Sequence, residues 1–175
     1  RMRMLIETIL QSSKMANKNF QLNIREVNLN EVIENVCSSF NLILTNRNGL
    51  LEQHLTADPD TLYADELHIT NLIYNLIDNA IKYSPHQVHV QIATERVNDN
   101  IIITVRDHGQ GISQDQLKHI FEKFYRVSTG DVHNVKGFGI GLNYVQQVVT
   151  LHNGNIDVSG ELNHGTTFTV TLPVQ

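Results

Sequence analysis

The sequence predicts an α+β fold: a two-layer sandwich whose mixed, mainly antiparallel sheet is covered on one face by helices. Two observations lead there. Near the C-terminal end two strand-like runs, about Asn155 to Ser159 and Thr166 to Leu172, are joined by the turn Asn163-His164-Gly165, which favours antiparallel pairing. Between the strand-like runs lie long segments of helical periodicity whose apolar residues occupy one side only, so they need a sheet face to cover. With 175 residues and 41% hydrophobic content the chain buries one substantial core, and one globular domain is the expectation.

The elements follow in order. Met2, Leu5, Ile6, Ile9 and Leu10 make a helical stripe with no capping residue before Arg1, as in the tail of a longer coiled or bundled helix. Residues 1–18 are therefore expected to be a connector, and residues 19–175 the domain. Phe20, Leu22, Ile24 and Val27 alternate with polar residues and predict a half-buried strand. Val32, Ile33, Val36, Cys37 and Phe40 line one side of a helix that ends at Asn48-Gly49. A short strand, Leu50 to Leu55, leads to the turn Asp58-Pro59-Asp60. Then come a long helix from about Asp65 to Tyr83, a strand around Val88 to Ala93, and the very apolar run Ile101 to Val105, read as a central strand covered on at least one face. A polar, glycine-bearing stretch separates it from a helix near Ile140 to Leu151, which Asn153-Gly154 stops.

Composition narrows the function classes. A formal net charge of −5 lacks the basic excess that phosphate-backbone binding requires, so no nucleic-acid partner is expected. No apolar run approaches the roughly 20 residues that cross a bilayer, and no charged-then-apolar leader opens the chain, so the expectation is a soluble piece. The single cysteine, Cys37, cannot form an internal disulfide; the cytoplasm is the default compartment, and the apolar helix side makes Cys37 a core residue.

The long helix has two unlike faces. Ile69, Leu72, Ile73, Leu76, Ile77, Ala80 and Ile81 form one, and His68, Asn71, Asn75, Asp78, Asn79 and Lys82 the other. Solvent exposure is the plain account of the polar face. The residue types argue for more, because asparagine is a poor helix former and solvated faces favour Glu, Lys, Gln or Arg. Carboxamide oxygens are hard neutral ligands that can complete a Mg²⁺ shell supplied mostly by nucleotide phosphates and water, and Lys82 brings a cation to the same place.

Two glycine clusters follow. The apolar strand runs into Asp107-His108-Gly109-Gln110-Gly111. A tight turn explains the glycines, and a ligand site explains the carboxylate as well: Asp107 can accept a hydrogen bond from the exocyclic amine of adenine while glycine backbone admits a flat base. Lys136-Gly137-Phe138-Gly139-Ile140-Gly141-Leu142 sets glycines at alternate positions just ahead of a helix, a start suited to phosphate. The spacing matches neither the dinucleotide-binding fingerprint nor the P-loop.

Together and in this order, these segments resemble the catalytic domain of sensor histidine kinases, within the wider family shared with gyrase, mismatch-repair ATPases and related chaperones. Asn71 to Ser84 resembles the asparagine box, Asp107 to Gly111 the first glycine box, Phe121 to Arg126 the phenylalanine box, Gly137 to Leu142 the second glycine box and Gly165 to Pro173 the closing strand. The resemblance implies a Bergerat-type ATP-binding fold over about residues 20–173. It makes residues 1–18 the end of the second dimerisation helix and its connector. It implies that Asn79 ligates Mg²⁺, that Asn75 lies beside the phosphates with Lys82 and Tyr83 in contact with them, and that Asp107 selects adenine with Gly109 and Gly111 lining the base pocket. Arg126 would reach the terminal phosphates as the second catalytic residue beside Asn75. Gly137, Gly139, Gly141 and Leu142 would form the lid and the phosphate-binding helix start, with Lys136 and Thr166 also contributing. Phe121 and Phe124 read as core anchors supporting the lid.

The gyrase branch of that family hydrolyses ATP with a glutamate one helical turn before the Mg²⁺ asparagine. Asn75 stands there, and a carboxamide cannot accept the proton from water. Asp78 lies about 100° around the helix from Asn79 and is a poor substitute. Transfer to a protein histidine is thus favoured over hydrolysis, and a non-catalytic nucleotide-binding module is the competing class. None of the nine histidines sits in the histidine-acid-x-arginine-threonine-proline context of the acceptor, so the chain alone is not expected to phosphorylate itself. The resemblance implies ATP, the histidine-bearing dimerisation domain and a response regulator receiver domain as partners. It implies a homodimeric parent, a monomeric fragment, and a place in the cytoplasmic portion of a membrane-bound sensor.

Overall fold

The computed structural model describes residues 21–85, 87–126 and 139–175. The helix expected over residues 1–18, Phe20, His86, Lys136, Gly137 and Phe138 lie outside the described residues.

Seven strands and five helices are described. A five-stranded sheet runs in the order β2 (Leu50–Leu55), β4 (His89–Val97), β5 (Asn100–Asp107), β7 (Gly165–Pro173), β6 (Asn155–Glu161). β2 and β4 pair in parallel and every other neighbour is antiparallel. Val90 and Ile92 of β4, Ile103 and Val105 of β5, and Val170 and Leu172 of β7 alternate onto one face and are buried there. The opposite face carries Ala93, Thr104 and Thr169, in register across the strands. The apolar run at Ile101 to Val105 is indeed central, because β5 is the middle strand of the five.

Helices α1 (Leu29–Ser39), α3 (Glu66–Lys82) and α5 (Gly141–Leu151) close the apolar layer. The side chain of Asp65 caps α3 by accepting the His68 N–H at 3.3 Å. Ile69, Leu72, Ile73, Leu76 and Ile77 of α3 have no exposed surface. Each such side chain contributes ~1.5–3 kcal/mol of burial free energy, so α3 is the central beam of the helical layer.

Three local features differ from the pattern-based expectations. The strand expected from Phe20 to Val27 shortens to β1 (Arg25–Asn28) and pairs with β3 (Thr61–Ala64) in a separate two-stranded sheet. The helix expected to continue to Asn48 breaks at Phe40 and resumes as α2 (Asn41–Asn46). The hydroxyls of Ser38 and Ser39 bond back to Glu34 and Val36 carbonyls, competing with the helical ladder, while Phe40 turns inward and packs its ring 4.7 Å from that of Tyr74. The polar face of α3 is also only partly solvated: His68, Asn71 and Asp78 are buried.

Candidate functional site

The C-terminal turn of α3, the end of β5 and the start of α5 converge on one cleft of about 550 Å³, open solvent at its mouth included. Asn79, Ala80 and Tyr83 form one side. Ile112, Ile120, Leu142 and Phe168 supply apolar walls, with Tyr125 and the exposed Arg126 at the other side. Asp107 and Thr166, directly paired between β5 and β7, sit at the sheet end.

Asp107 is a carboxylate 4% exposed among apolar walls. Burial pushes its pKa up, and the backbone N–H groups of Gly109 and Thr166 oppose that rise. The Gly109 N–H donates to Asp107 Oδ1 at 2.8 Å. The site thus holds a hydrogen-bonded acceptor in a dry place, where an amine donor from a planar base finds little competition from water.

The first glycine pair is explained by backbone crossings. A Cβ at Gly109 would lie 2.3 Å from the Tyr83 carbonyl oxygen, because the loop passes directly over the end of α3, where the Gln110 N–H donates to that same carbonyl at 3.0 Å. Gly111 has φ +66°, and its Cβ would lie 1.8 Å from the Glu161 carbonyl oxygen. Gly111 lines the cleft; Gly109 lies behind the wall, against α3.

The remaining expected residues take separate places. Asn79 lines the cleft, and its carboxamide makes no hydrogen bond to a described residue. Asn75 is one turn back, its Nδ2 donating to the Asn71 carbonyl at 2.7 Å while its Oδ1 faces the first residue of α5, Gly141, where an added Cβ would come within 2.7 Å. That contact brings α3 and α5 together just below Leu142. Gly139 holds the end of the phenylalanine-rich segment by accepting the Phe124 N–H at 2.9 Å. Lys82 is half-buried and ion-paired with Asp78, four residues earlier on α3. Burial raises the Tyr83 pKa, with the charge of Arg126 opposing and that of Asp78 assisting the rise. Phe121 packs partly buried against the core, whereas Phe124 is 71% exposed at φ +65°, so only the first of the two is a core anchor.

The cleft contains residues that sequence reasoning did not single out, namely Ile112, Ile120, Tyr125, Phe168 and Gln110. Gln110, Tyr125 and Phe168 lay within motifs already marked; Ile112 and Ile120 carry no signal that separates a ligand-facing wall from core. Among the described residues no group of three or more His, Cys, Asp or Glu side chains is placed to hold a metal ion. A hard divalent cation here would have to take most of its shell from a ligand's oxygens and water, with the Asn79 carboxamide as one protein oxygen within the cleft, which is how Mg²⁺ usually binds beside phosphates.

Comparison with known proteins places this geometry. The family described as histidine kinase-, DNA gyrase B-, and HSP90-like ATPase matches residues 64–175. The sensor protein RprX of Bacteroides fragilis (strain YCH46) is 40% identical over 99% of this chain, which spans 34% of that protein. The chain spans 34% to 45% of the length of the curated relatives it matches. Full-length ShkA, crystallised in complex with AMPPNP, superposes with a TM-score of 0.85 at 21% identity, over 97% of this chain and 35% of that one. Histidine kinase ThkA, crystallised with the response regulator protein TrrA, superposes with a TM-score of 0.79 at 22% identity, over 100% of this chain and 48% of that one. At these identities the two structures establish a shared fold.

Proposed function

Since this chain belongs to the histidine kinase-, DNA gyrase B-, and HSP90-like ATPase family, we propose that it is the catalytic domain of a two-component sensor histidine kinase, binding Mg-ATP and transferring the γ-phosphate to a histidine on a dimerisation domain. The observation that carries this reading is Asp107: a buried, amide-anchored carboxylate in a cleft with apolar walls that Asn79 and the exposed Arg126 also line. The 40% identity to a sensor protein supports the kinase branch over the others.

In this reading Asp107 accepts the exocyclic amine of adenine, and Ile112, Ile120 and Phe168 exclude water from the base. Tyr83 lies between the base end and the phosphates. The N-terminal turn of α5, at Gly141 and Leu142, offers the backbone N–H groups of a helix start to phosphate oxygens, and Arg126 at the rim neutralises the terminal phosphate. Mg²⁺, when bound at Asn79, supplies further charge neutralisation. Lys82 reaches phosphate only by giving up or sharing its Asp78 partner. Gly109 acts through Asp107, and Gly139 through the segment bearing Arg126. Lys136, Gly137 and Thr166 complete the set assigned by the family motifs. The chain's residues bind, orient and shield, which is most of what phosphoryl transfer asks of a protein.

A hydrolase is disfavoured by Asn75. Its carboxamide can neither take a proton from water nor turn freely, since its Nδ2 is bonded to Asn71 and its Oδ1 is covered by Gly141. A response regulator receiver domain is proposed as downstream partner, supported by the ThkA–TrrA complex. The parent is proposed to be a homodimeric, membrane-bound sensor with this domain on its cytoplasmic side; no described helix is long and apolar enough to cross a membrane.

The test is phosphotransfer. With γ-labelled ATP, Mg²⁺ and a histidine-bearing dimerisation domain supplied separately, base-stable, acid-labile label should appear on that domain and none on this chain alone. Steady release of inorganic phosphate without any acceptor protein would instead make the chain a hydrolase.

A further inference from the structure

The side chain of Arg47 lies outside the cleft, in the turn after α2, and reaches the end of α3. Its Nη1 donates to the Ile81 carbonyl at 2.8 Å and its Nη2 to the Ser84 carbonyl at 2.5 Å. Those two carbonyls straddle Lys82 and Tyr83. From the opposite side, Tyr83's own carbonyl accepts the Gln110 N–H at 3.0 Å, and the adjacent Gly109 N–H holds Asp107 Oδ1 at 2.8 Å. The last turn of α3 is thus gripped between a guanidinium and the loop that orients the carboxylate.

We infer that Arg47 is a positioning residue for the adenine end of the cleft: by clamping Ile81 and Ser84 it sets Tyr83 against Gly109–Gln110 and so keeps the Gly109 amide on Asp107. This rests on the nucleotide reading of the cleft. Charge-assisted bonds to backbone are about twice as strong as neutral ones, and a guanidinium spans two acceptors with one rigid fork, so no other side chain type reproduces both contacts. The ordinary alternative is a helix C-terminal cap that matters for stability alone. The two differ in what they do to Asp107. The Gly109 N–H favours the charged carboxylate, so loosening the loop moves the protonation of Asp107 to higher pH; a simple loss of helix stability leaves it where it was.

The experiment is ATP binding as a function of pH by the wild-type chain, Arg47→Met and Arg47→Lys, at a temperature where each is folded by circular dichroism. The inference expects Arg47→Met to bind ~10-fold more weakly at neutral pH. Its acid limb of binding should move to higher pH, with Arg47→Lys, which keeps the charge on a single donor nitrogen without the fork, in between. A folded Arg47→Met with wild-type affinity and an unmoved acid limb overturns the inference while leaving the nucleotide reading intact. If that variant does not fold, Arg47→Lys with wild-type affinity and acid limb overturns it equally. A folded wild-type chain without affinity for ATP overturns the nucleotide reading, and this inference with it.

Discussion

His152 accepts the backbone N–H of Asp65 at Nε2, 3.0 Å away, while its Nδ1 meets the Val148 carbonyl at 2.8 Å. The second contact needs a donor and the first an acceptor, so the ring is neutral with its proton on Nδ1. One imidazole therefore ties the end of α5 to the start of α3, the two helices that carry opposite sides of the cleft. Asp65 extends the tie. Its Oδ2 accepts the Asn23 N–H at 2.8 Å, at the start of the described chain, and its Oδ1 caps α3.

Replacing His152 by phenylalanine keeps the volume roughly and removes the acceptor, leaving the Asp65 N–H buried and unpaired. Unfolding free energy should fall by ~1–3 kcal/mol, read from urea denaturation. An unchanged midpoint and slope would show that the tie contributes nothing.

Acid should weaken the same region through His68. Burial pushes its pKa below the usual histidine value, with the charge of Asp65 opposing the fall. The unfolded chain then binds the proton more readily than the folded one, so the stability is fully present above about pH 6.5 and is lost as pH falls toward the depressed value. The melting temperature should drop between pH 7.5 and 5.5, and His68→Gln should shrink that drop. A flat profile in the wild type would contradict it.

Asp107 carries the opposite sign. Its pKa is raised by burial, so the folded state holds this proton more tightly than the unfolded state, and the ionised carboxylate lowers stability at neutral pH relative to acid. Asp107→Asn keeps an acceptor for the Gly109 N–H and removes the buried charge. At pH 7 its melting temperature should equal or exceed the wild type's, while its ATP affinity falls ~10- to 100-fold through loss of a hydrogen bond to a charged acceptor. Loss of stability together with retained affinity would place adenine elsewhere.

How far residues announce structure differs along the chain. The long helix was legible because its apolar positions repeat at three and four over five turns, and the β5 and β7 strands because their runs are long and bounded by turns. β3 and the short helix α4 (Gln114–Leu117) were not, since four residues carry too little periodicity to register. The break at Phe40 depends on serine back-bonding and on a ring neighbour, Tyr74, far away in sequence. Within the site, Asp107, Asn79 and Gly111 stood out because their chemistry is unusual for where they sit. Ile112, Ile120 and Phe168 did not, because an apolar wall facing a ligand has the composition of core. Arg47 was invisible for another reason: its acceptors, Ile81 and Ser84, are backbone carbonyls that leave no trace in side-chain pattern.

The most direct test of the central claim is a calorimetric titration of ATP, with and without Mg²⁺, into the wild-type chain and into Asn79→Ala. The account predicts one site per chain whose affinity rises when Mg²⁺ is present, and an Asn79→Ala variant that still binds ATP but has lost most of the gain from Mg²⁺. A folded wild-type chain that takes up no heat with ATP, or an Asn79→Ala variant whose response to Mg²⁺ is undiminished, would contradict it.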